Sequence, residues 1–504
     1  MNHFGHDRLR LVRAHIDTYQ QPVVFMHRDC QVCRAEGFAA LTRVLVRSGQ
    51  REVVATLNVV HDERFGLDVA ALSEAAWRAL DPAPDALAVF SHPEPPGSSA
   101  ALRAKVFGQR LEEADFLGLM RDTVDNRLSD IELAAFVTAC AGDRLDPGET
   151  IALTRAMVAV GERIDWGGGM VLDKHCVGGL PGNRTTPIVV ALVAAAGYRI
   201  PKTSSRAITS PAGTADTMEV MAPVALDLAA MRRVVEREGG CIVWGGNVRL
   251  SPADDVLIRV ERPLDFDSEG QLVASVLSKK VAAGSTHVLI DIPVGPTAKV
   301  RSSQAAELLE TRLQATARAM GLALSTLRTD GLQPVGRGIG PALEARDVLQ
   351  VLRGDAGAPR DLRERALDLA GALLAIASGA PPQEERSRAA GLLESGTAMK
   401  KFLAICEAQG GFTEPRIAPH RVPVLAHRDG SVASIDSRRL ARVAKLAGAP
   451  ASADAGMDLQ RRLGDAVRSG DVLYEIHAHT DGELQYALDY ALAHPSILAI
   501  GDDA

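Results

Sequence analysis

The chain has 504 residues, of which 46% are hydrophobic and 24% are charged, and its formal net charge is −7. This length predicts roughly two to four domains, because a single hydrophobic core does not grow to that size. The acidic balance disfavours a nucleic-acid-binding protein, which needs clustered lysine and arginine. The longest apolar run, 187–198, is too short to span a membrane, and the start has no apolar run of signal-peptide length. We therefore expect a cytoplasmic protein that binds neither nucleic acid nor a membrane.

Residues 1–95 are predicted to form a β-rich domain, because apolar and polar residues alternate at 22–28, 42–48 and 51–60. The proline-rich stretch 81–97 is interpreted as a linker. Cys30 and Cys33 form a CxxC pair close to His27. A structural zinc site usually takes four ligands, and no second CxxC pair exists. We therefore interpret these cysteines as buried thiols, with a zinc or redox site as the alternative.

Residues 96–165 are predicted to form a helical lobe. The stretch 129–140 begins with Ser129 and Glu132 at capping-box spacing, and 146–164 forms a second helix. Residues 166–410 then alternate strands with glycine-rich turns and helices, with strands predicted at 241–244, 256–260 and 287–294. That alternation is typical of a mainly parallel sheet covered by helices. Residues 411–504 are predicted to form a separate α+β domain, so the fold class is α/β with an additional domain at each end.

Two glycine- and hydroxyl-rich loops follow successive strands, DKHCVGGLPGNRTTP at 173–187 and KTSSRAITSPAGTAD at 202–216. Neither a GxxxxGK[ST] loop nor a GxGxxG fingerprint is present, which disfavours a triphosphate or dinucleotide site. A glycine turn ending at a helix N-terminus binds anions, and Lys174 adds a positive charge. The second loop offers hydroxyl donors and Arg206, a potentially bidentate cation. Alternatively, these hydroxyls only cap helices and turns.

These residues carry a resemblance to a known family. DKHCVGGLPGNRT resembles the DKHSxGG motif of the thymidine and pyrimidine-nucleoside phosphorylases, and MVAVGERIDW at 157–166, the loop at 202–216 and SVLSKK at 275–280 fit the same family. The chain is most similar to the longer branch that has an extra N-terminal domain and includes archaeal AMP phosphorylases. The resemblance implies a helical lobe, completed by part of 220–255, that faces an α/β lobe across a cleft in a homodimer or larger homo-oligomer.

The implied reaction is phosphorolysis: inorganic phosphate attacks the anomeric carbon of a nucleoside and releases the base and a pentose 1-phosphate. It needs no metal and no organic cofactor. The resemblance implies that Asp267 is the proton donor and that His175 and Arg259 contact the base. The phosphate- and substrate-binding residues that it implies are Lys174, Gly179, Ser205, Arg206, Ala207, Ile208, Thr209, Ser210, Thr214, Ser275, Lys279 and Lys299. The bottom-up alternative for Asp267 is a residue of an acidic surface turn, and for His175 a structural histidine at a strand end.

The sequence departs from the family at two places. Cys176 replaces the serine of DKHS, and a thiol is a weaker hydrogen-bond donor than a hydroxyl. SSRAIT replaces the SGRG-type loop of the short thymidine phosphorylases, so a nucleoside 5′-monophosphate is an alternative substrate. Lys299, Arg206 and Arg301 are candidates for holding its 5′-phosphate. Two further alternatives are a magnesium-dependent phosphoribosyltransferase and a catalytically silent nucleotide-binding regulator.

Overall fold

The structure is a computed structural model that describes residues 8–207, 210–264 and 268–502. The chain divides into two compact units, Met1–Val160 with Pro252–Ser268, and Gly161–Ser251 with Glu269–Ala504. The first unit thus includes the distant segment Pro252–Ser268. Within the described residues, none of the helices combines the length and the apolar character that a membrane crossing requires.

The first unit begins with a closed six-stranded barrel in the order β1-β5-β2-β4-β3-β6. Burial alternates along β1, β3 and β6, and the inward-facing positions fill the interior with apolar side chains such as Leu11, Val46 and Phe90. Its strands and helices are β1 Arg8–Arg13, β2 Val23–His27, α1 Gln31–Glu36, β3 Arg43–Ser48, β4 Arg51–Val60, β5 Val69–Leu72, α2 Glu74–Leu80 and β6 Leu87–Ser91. The interpretation of 81–97 as a linker was wrong in part, because β6 lies inside it and closes the barrel by pairing with β1 and β3.

The rest of the first unit is helical: α3 Ser99–Val106, α4 Glu113–Val124, α5 Asp130–Ala139, α6 Pro147–Ala159 and the later helix Pro252–Leu264. Ser129 and Glu132 form the predicted capping box at the start of α5. The strand predicted at 256–260 was wrong, because this segment is helical. Ala253, Leu257 and Val260 are buried at helical spacing behind Pro252, so the apolar run covers one helix face.

The second unit contains a parallel sheet in the order β11-β10-β7 and a parallel pair, β8-β9. An isolated parallel bridge between Val171 and Arg199 places β8 beside β7. The elements are, in chain order, β7 Leu172–Cys176, α7 Thr185–Ala195, β8 Ile200–Ser204, α8 Thr214–Glu219, α9 Leu228–Glu238, β9 Gly240–Trp244, α10 (the helix Pro252–Leu264 of the first unit), α11 Glu269–Ala282, β10 His287–Val294, α12 Ser303–Ala319 and β11 Ala323–Asp330. Helix α7 is buried along nearly its whole length and lies at the centre of the main core.

Four helices, α13 to α16, and a terminal α+β region complete this unit. Its remaining elements are, in chain order, β12 Gly338–Ile339, α13 Pro341–Arg353, α14 Arg360–Ser378, α15 Pro382–Glu394, α16 Thr397–Gln409, β13 His420–Leu425, β14 Gly430–Ile435, α17 Ser437–Leu446, β15 Gly456–Leu459, β16 Ala466–Val467, β17 Val472–Ala478, α18 Asp481–Ala493 and β18 Leu498–Gly501. The terminal strands form two sheets, β12-β15-β17-β13 and β16-β14-β18. Both contribute to one apolar core with α17 and α18.

Candidate active site

Strand β7 places charged residues on its two faces, because successive side chains of a strand point in opposite directions. Lys174 is fully buried on the face that packs on α7, where its Nζ donates a hydrogen bond to Thr185 Oγ1 at 2.8 Å. The same Nζ lies 3.7 Å from a carboxylate oxygen of Asp291 on the neighbouring strand β10. Asp291 in turn accepts a hydrogen bond from Thr329 at 2.7 Å. Lys174 is therefore fixed at the N-terminus of a buried helix.

The glycine turn follows directly after β7. Gly178 and Gly179 have φ of 88° and 83°, a conformation that residues with a Cβ atom rarely adopt. A Cβ atom on Gly179 would lie 2.4 Å from the backbone nitrogen of Lys299, so this position also requires glycine for space. The turn leads into α7, whose first residue is Thr185. The positive end of the helix and the ammonium group of Lys174 therefore lie at the same turn, as an anion site requires.

Cys176 lies half-buried on the Lys174 face, at the last position of β7. Its Sγ is 3.4 Å from Nδ2 of Asn183, which donates towards it. Burial and the neighbouring Asp291 raise the pKa of the Cys176 thiol to about 12. The thiol is therefore neutral near pH 7, which disfavours a nucleophilic role.

The second loop follows β8 and is shaped by Asp216. One carboxylate oxygen of Asp216 accepts hydrogen bonds from the backbone N–H groups of Ala207 at 2.6 Å and Gly213 at 2.8 Å. Ser205 is exposed at the start of this loop, while Ser204 is buried and its Oγ has no hydrogen-bond partner. An unpartnered buried hydroxyl is costly unless a ligand completes its bonding. Ser204 thus joins the candidate site as one of the hydroxyl groups of this loop.

The side chain of Arg206 in this loop is held by neighbouring side chains. Its guanidinium group forms two hydrogen bonds with Glu219, at 2.5 and 2.8 Å, and a third with Asp216 at 3.3 Å. It also stacks over Trp244 at 4.8 Å from the ring centre. These partners occupy the bidentate face that the sequence had assigned to phosphate.

Arg184, which precedes α7, joins the two loops. It donates to Thr214 Oγ1 at 2.7 Å, to the backbone oxygen of Ala212 at 3.0 Å and to Glu344 at 2.7 Å. Glu344 is buried and also accepts a hydrogen bond from Thr217. Burial raises the pKa of Glu344, and the ion pair with Arg184 opposes that shift. Thr214 is therefore held at the first residue of α8, beside the first loop.

A cluster of charges lies on the opposite face of β7, around Asp173 and His175. Asp173 is fully buried and accepts hydrogen bonds from Lys280 Nζ at 2.7 Å and Ser285 Oγ at 3.3 Å. Lys202 Nζ lies 3.4 Å from its other oxygen. Burial alone would raise the pKa of Asp173, but Lys202 and Lys280 lower it below its usual value. Burial and the surrounding lysines hold the pKa of His175 well below its usual value, so its imidazole is neutral near pH 7.

The remaining predicted residues occupy several positions. Ser275 and Lys279 lie half-buried one turn apart on α11, and Lys279 is close enough to lower the pKa of His175. Lys299 follows β10 with an exposed side chain, and Ser210 donates to the backbone oxygen of Ala212. Arg259 belongs to the first unit, where it forms two hydrogen bonds of 2.8 Å with Asp130. Ile208, Thr209 and Asp267 lie outside the described residues.

Four buried charged residues at this site, Asp173, Lys202, Lys280 and Asp291, were not identified from the sequence as site residues. Each is a charged residue within a largely apolar element, as in MVLDKH, RIPKTS, SVLSKK and HVLIDIPV. Lysine and aspartate are rarely buried unless they are paired. This pattern would have identified them as partners of one another.

Cys30 and Cys33 of the barrel are both buried, and the backbone N–H of Cys33 donates to Cys30 Sγ at 3.3 Å. In the described part of the chain, no three His, Cys, Asp or Glu side chains are grouped as metal ligands.

Comparison with known proteins identifies three family regions. Residues 99–161 match the helical bundle domain of the glycosyl transferase family, 168–399 match its a/b domain, and 431–497 match the pyrimidine nucleoside phosphorylase C-terminal domain. Among solved structures, anthranilate phosphoribosyltransferase from Thermus thermophilus is 20% identical, with a TM-score of 0.51 over 61% of this chain and 99% of that chain. This likeness shows the fold alone.

Relatives of much higher identity span nearly the whole chain. "Putative thymidine phosphorylase 1" of Acidovorax sp. (strain JS42) is 62% identical over 99% of this chain and 98% of that protein. "Putative thymidine phosphorylase" of Polaromonas sp. (strain JS666 / ATCC BAA-500) is 60% identical over 99% of this chain and 97% of its own length. The family regions, the phosphate-type loops and these relatives agree, and the chain therefore belongs to the thymidine and pyrimidine-nucleoside phosphorylase family of pentosyltransferases.

Proposed function

We propose that this enzyme cleaves a pyrimidine nucleoside, thymidine or uridine, with inorganic phosphate to give the free base and a pentose 1-phosphate. The observation that carries this proposal is the position of Lys174, whose buried ammonium group is bonded to Thr185 at the start of α7 beside the glycine turn. One ammonium group at one helix N-terminus suits a single phosphate. The names of the relatives support a nucleoside as the second substrate.

The proposed chemistry follows from the charges that form as the bond breaks. The sugar becomes positive at its anomeric carbon and the departing base becomes negative, so the enzyme must position an anionic nucleophile and neutralise the base. Lys174 and the glycine turn hold the phosphate, with Ser205, Ser210 and Thr214 lining the phosphate and sugar region. Neutral His175 donates a hydrogen bond to a carbonyl of the base, and Ser275 and Lys279 complete the base-binding side.

A second candidate substrate is a nucleoside 5′-monophosphate, which would give the base and ribose 1,5-bisphosphate. Lys299 favours it, because its backbone packs against Gly179 while its side chain is exposed, so a cation lies next to the phosphate loop. Arg301, two residues further on, is exposed as well. A second phosphate group requires such an additional cation.

The test is base release from thymidine, uridine, AMP, CMP and UMP, with and without phosphate and with EDTA present. Phosphate-dependent release from thymidine or uridine supports the first proposal, and release from the monophosphates alone supports the second. In the second case Lys299→Met should raise KM for the monophosphate at least tenfold, whereas Lys400→Met, an exposed lysine of α16, should not. The proposed reaction uses no metal and no organic cofactor, so loss of activity in EDTA would contradict it. No release from any substrate would favour a silent regulator.

Asp267 is the proposed proton donor to the leaving base. General acid catalysis typically contributes about 10²–10⁴-fold, so Asp267→Asn should lower kcat by about that factor. Asp265→Asn, which removes a carboxylate two residues away, is the matched control and should retain activity. If Asp267→Asn releases base at nearly the wild-type rate, the assignment is wrong.

A further inference from the structure

The charges buried around β7 do not balance. Among the described residues of this cluster, three buried lysines, Lys174, Lys202 and Lys280, face two buried aspartates. Asp291 lies beside Lys174 on one face of β7, while Lys202 and Lys280 share Asp173 on the other. With all three lysines protonated, one positive charge is in excess in a buried environment. Such an arrangement is unfavourable without an anion.

Of the two lysines that share Asp173, Lys202 is the less well stabilised. Lys280 donates to Asp173 at 2.7 Å, whereas Lys202 Nζ stands 3.4 Å from the other oxygen, which accepts no hydrogen bond. Lys202 donates instead to the backbone oxygen of Thr203 at 2.6 Å. Burial lowers the pKa of Lys202 to about 7; Asp173 opposes this shift, and the repulsion of Lys280 and Lys174 adds to it. The charge of Lys202 therefore changes near neutral pH.

His175 and Cys241, which lie near Lys202, do not change charge near neutral pH. Burial and the lysines keep the His175 imidazole neutral, and burial together with Asp173 raises the pKa of the Cys241 thiol on β9. Helices α7 and α9, which also pack against β8, bury apolar side chains there, such as Val189 and Val234. The titratable groups close to Lys202 are thus Asp173 and His175 from β7, Lys280 from α11 and Cys241 from β9. The charge of Lys174, on the other face of β7, also acts on Lys202.

We propose that Lys202 is a positioning residue that takes up a proton when a dianion binds at the two loops. Lys202 lies on β8 two residues before Ser204, whose buried hydroxyl is unpartnered. The ammonium group of Lys202 donates to the backbone oxygen of Thr203, so it is held close to the point where β8 ends and the second loop begins. A bound dianion stabilises the protonated lysine, and by linkage the protonated lysine strengthens anion binding to the same extent. That the natural dianion is the phosphate substrate rests on the proposed function. The coupling between dianion binding and protonation of Lys202 does not.

Sulfate is the probe of choice, because it remains a dianion between pH 6 and 9, whereas phosphate changes its own charge in that range. Isothermal titration of the full-length enzyme should show sulfate affinity falling by about tenfold between pH 7.5 and 8.5, since each pH unit above the pKa removes nine-tenths of the protonated lysine. Titrations at pH 7.5 in two buffers of different ionisation enthalpy should show net proton uptake by the protein on binding.

Lys202→Met should bind sulfate at least tenfold more weakly at pH 6.5, with an affinity that no longer depends on pH between 7 and 8.5. Lys202→Gln should behave in the same way, and it provides a second variant of different polarity. Both variants should fold, because Lys280 and Asp173 remain as a balanced pair. The control Lys400→Met removes one exposed positive charge and should keep the wild-type pH profile.

The coupling is overturned if either Lys202 variant keeps the wild-type pH dependence and proton uptake, or if the wild type binds no sulfate at pH 6.5. Base release by the wild type is measured in parallel. Proton-linked sulfate binding without base release from any nucleoside or nucleotide would contradict the proposed reaction and leave the coupling intact. Base release with an unaltered pH profile in Lys202→Met would contradict only the coupling.

Discussion

Cys176 is the residue at which this chain departs most directly from the family motif, and its surroundings show what the change does. The thiol lies at the end of β7 beside Asn183 and Asp291, and its raised pKa keeps it protonated. A protonated thiol donates only weakly, so it gives a bound phosphate less than a serine hydroxyl would.

Cys176→Ser should therefore lower KM for phosphate, by about three- to tenfold, because a hydroxyl donor is worth roughly 0.5–1.5 kcal/mol more than a missing bond. Cys176→Ala, which removes the donor, is the comparison and should raise KM slightly. The measurement is initial-rate kinetics with phosphate varied at saturating nucleoside. Equal KM values for the three proteins would show that this position does not contact phosphate.

Only some of the residues of the candidate site could be predicted from the sequence. Lys174 was predicted because a glycine turn and a helix start follow it, which is a local pattern. Lys202 and Lys280, the partners of Asp173, lie 29 and 107 positions beyond it in the chain, and only the fold brings them to Asp173. The pairing of Arg206 with Glu219 was likewise missed, since both residues look available for ligands in the sequence.

At the scale of elements, the turn between β7 and α7 contains two glycines with nearly identical backbone angles but different surroundings. Replacing either with alanine places a Cβ atom in the left-handed region, at a cost of about 1–2 kcal/mol. At Gly178 the added atom meets nothing within 4 Å, whereas at Gly179 it would lie 2.4 Å from the Lys299 backbone. Comparing alanine substitutions at the two positions therefore distinguishes the effect of backbone strain from that of a steric clash with Lys299.

Gly179→Ala should raise KM for phosphate at least tenfold, because the turn must move away from Lys299 to accommodate the new atom. Gly178→Ala carries the same strain without the contact and should change KM severalfold less. Kinetics of both variants, with Tm recorded to confirm folding, provide the comparison. Similar KM values in the two variants would mean that the approach of Lys299 does not set the geometry of the turn.

Elements were predicted well where a repeating pattern met a cap, as in α5 with its capping box. The prediction failed at 256–260, where five consecutive residues matched a buried strand and only the longer context from Pro252 reveals a helix. It also failed at β6, because the prolines on both sides outweighed the alternation of buried Ala88 and Phe90. A short apolar run is compatible with either structure, and packing against neighbours decides between them.

At the scale of the whole molecule, the excess buried charge makes the ligand-free protein less stable than its packing alone would allow. A lysine in an unfolded chain has a pKa near 10.4, whereas burial lowers that of Lys202 to about 7 in the folded protein. Between these values the unfolded chain binds a proton that the folded protein lacks, so this residue makes stability rise with pH. Below pH 7 Lys202 is protonated in both the folded and the unfolded state, and its buried charge destabilises the folded protein to the full extent.

Lys202→Met should therefore have a higher Tm than the wild type at pH 7 in the absence of anions, because it removes the uncompensated buried charge. We expect its free energy of unfolding to be higher by about 1–4 kcal/mol, the range found when a buried ion pair or triad is replaced by apolar residues. The gain should shrink steadily as pH rises towards 9, because the wild type loses the unfavourable charge and the variant has none to lose. Taking the difference between the two proteins cancels the other titrating groups, and Lys400→Met should show no such trend. Added sulfate should narrow the difference at pH 7, since only the wild type gains from an anion beside a protonated Lys202. A difference that is independent of pH, or a variant less stable than the wild type throughout, would mean that Lys202 is held by Asp173 as an ordinary ion pair and that the third lysine does not destabilise this site.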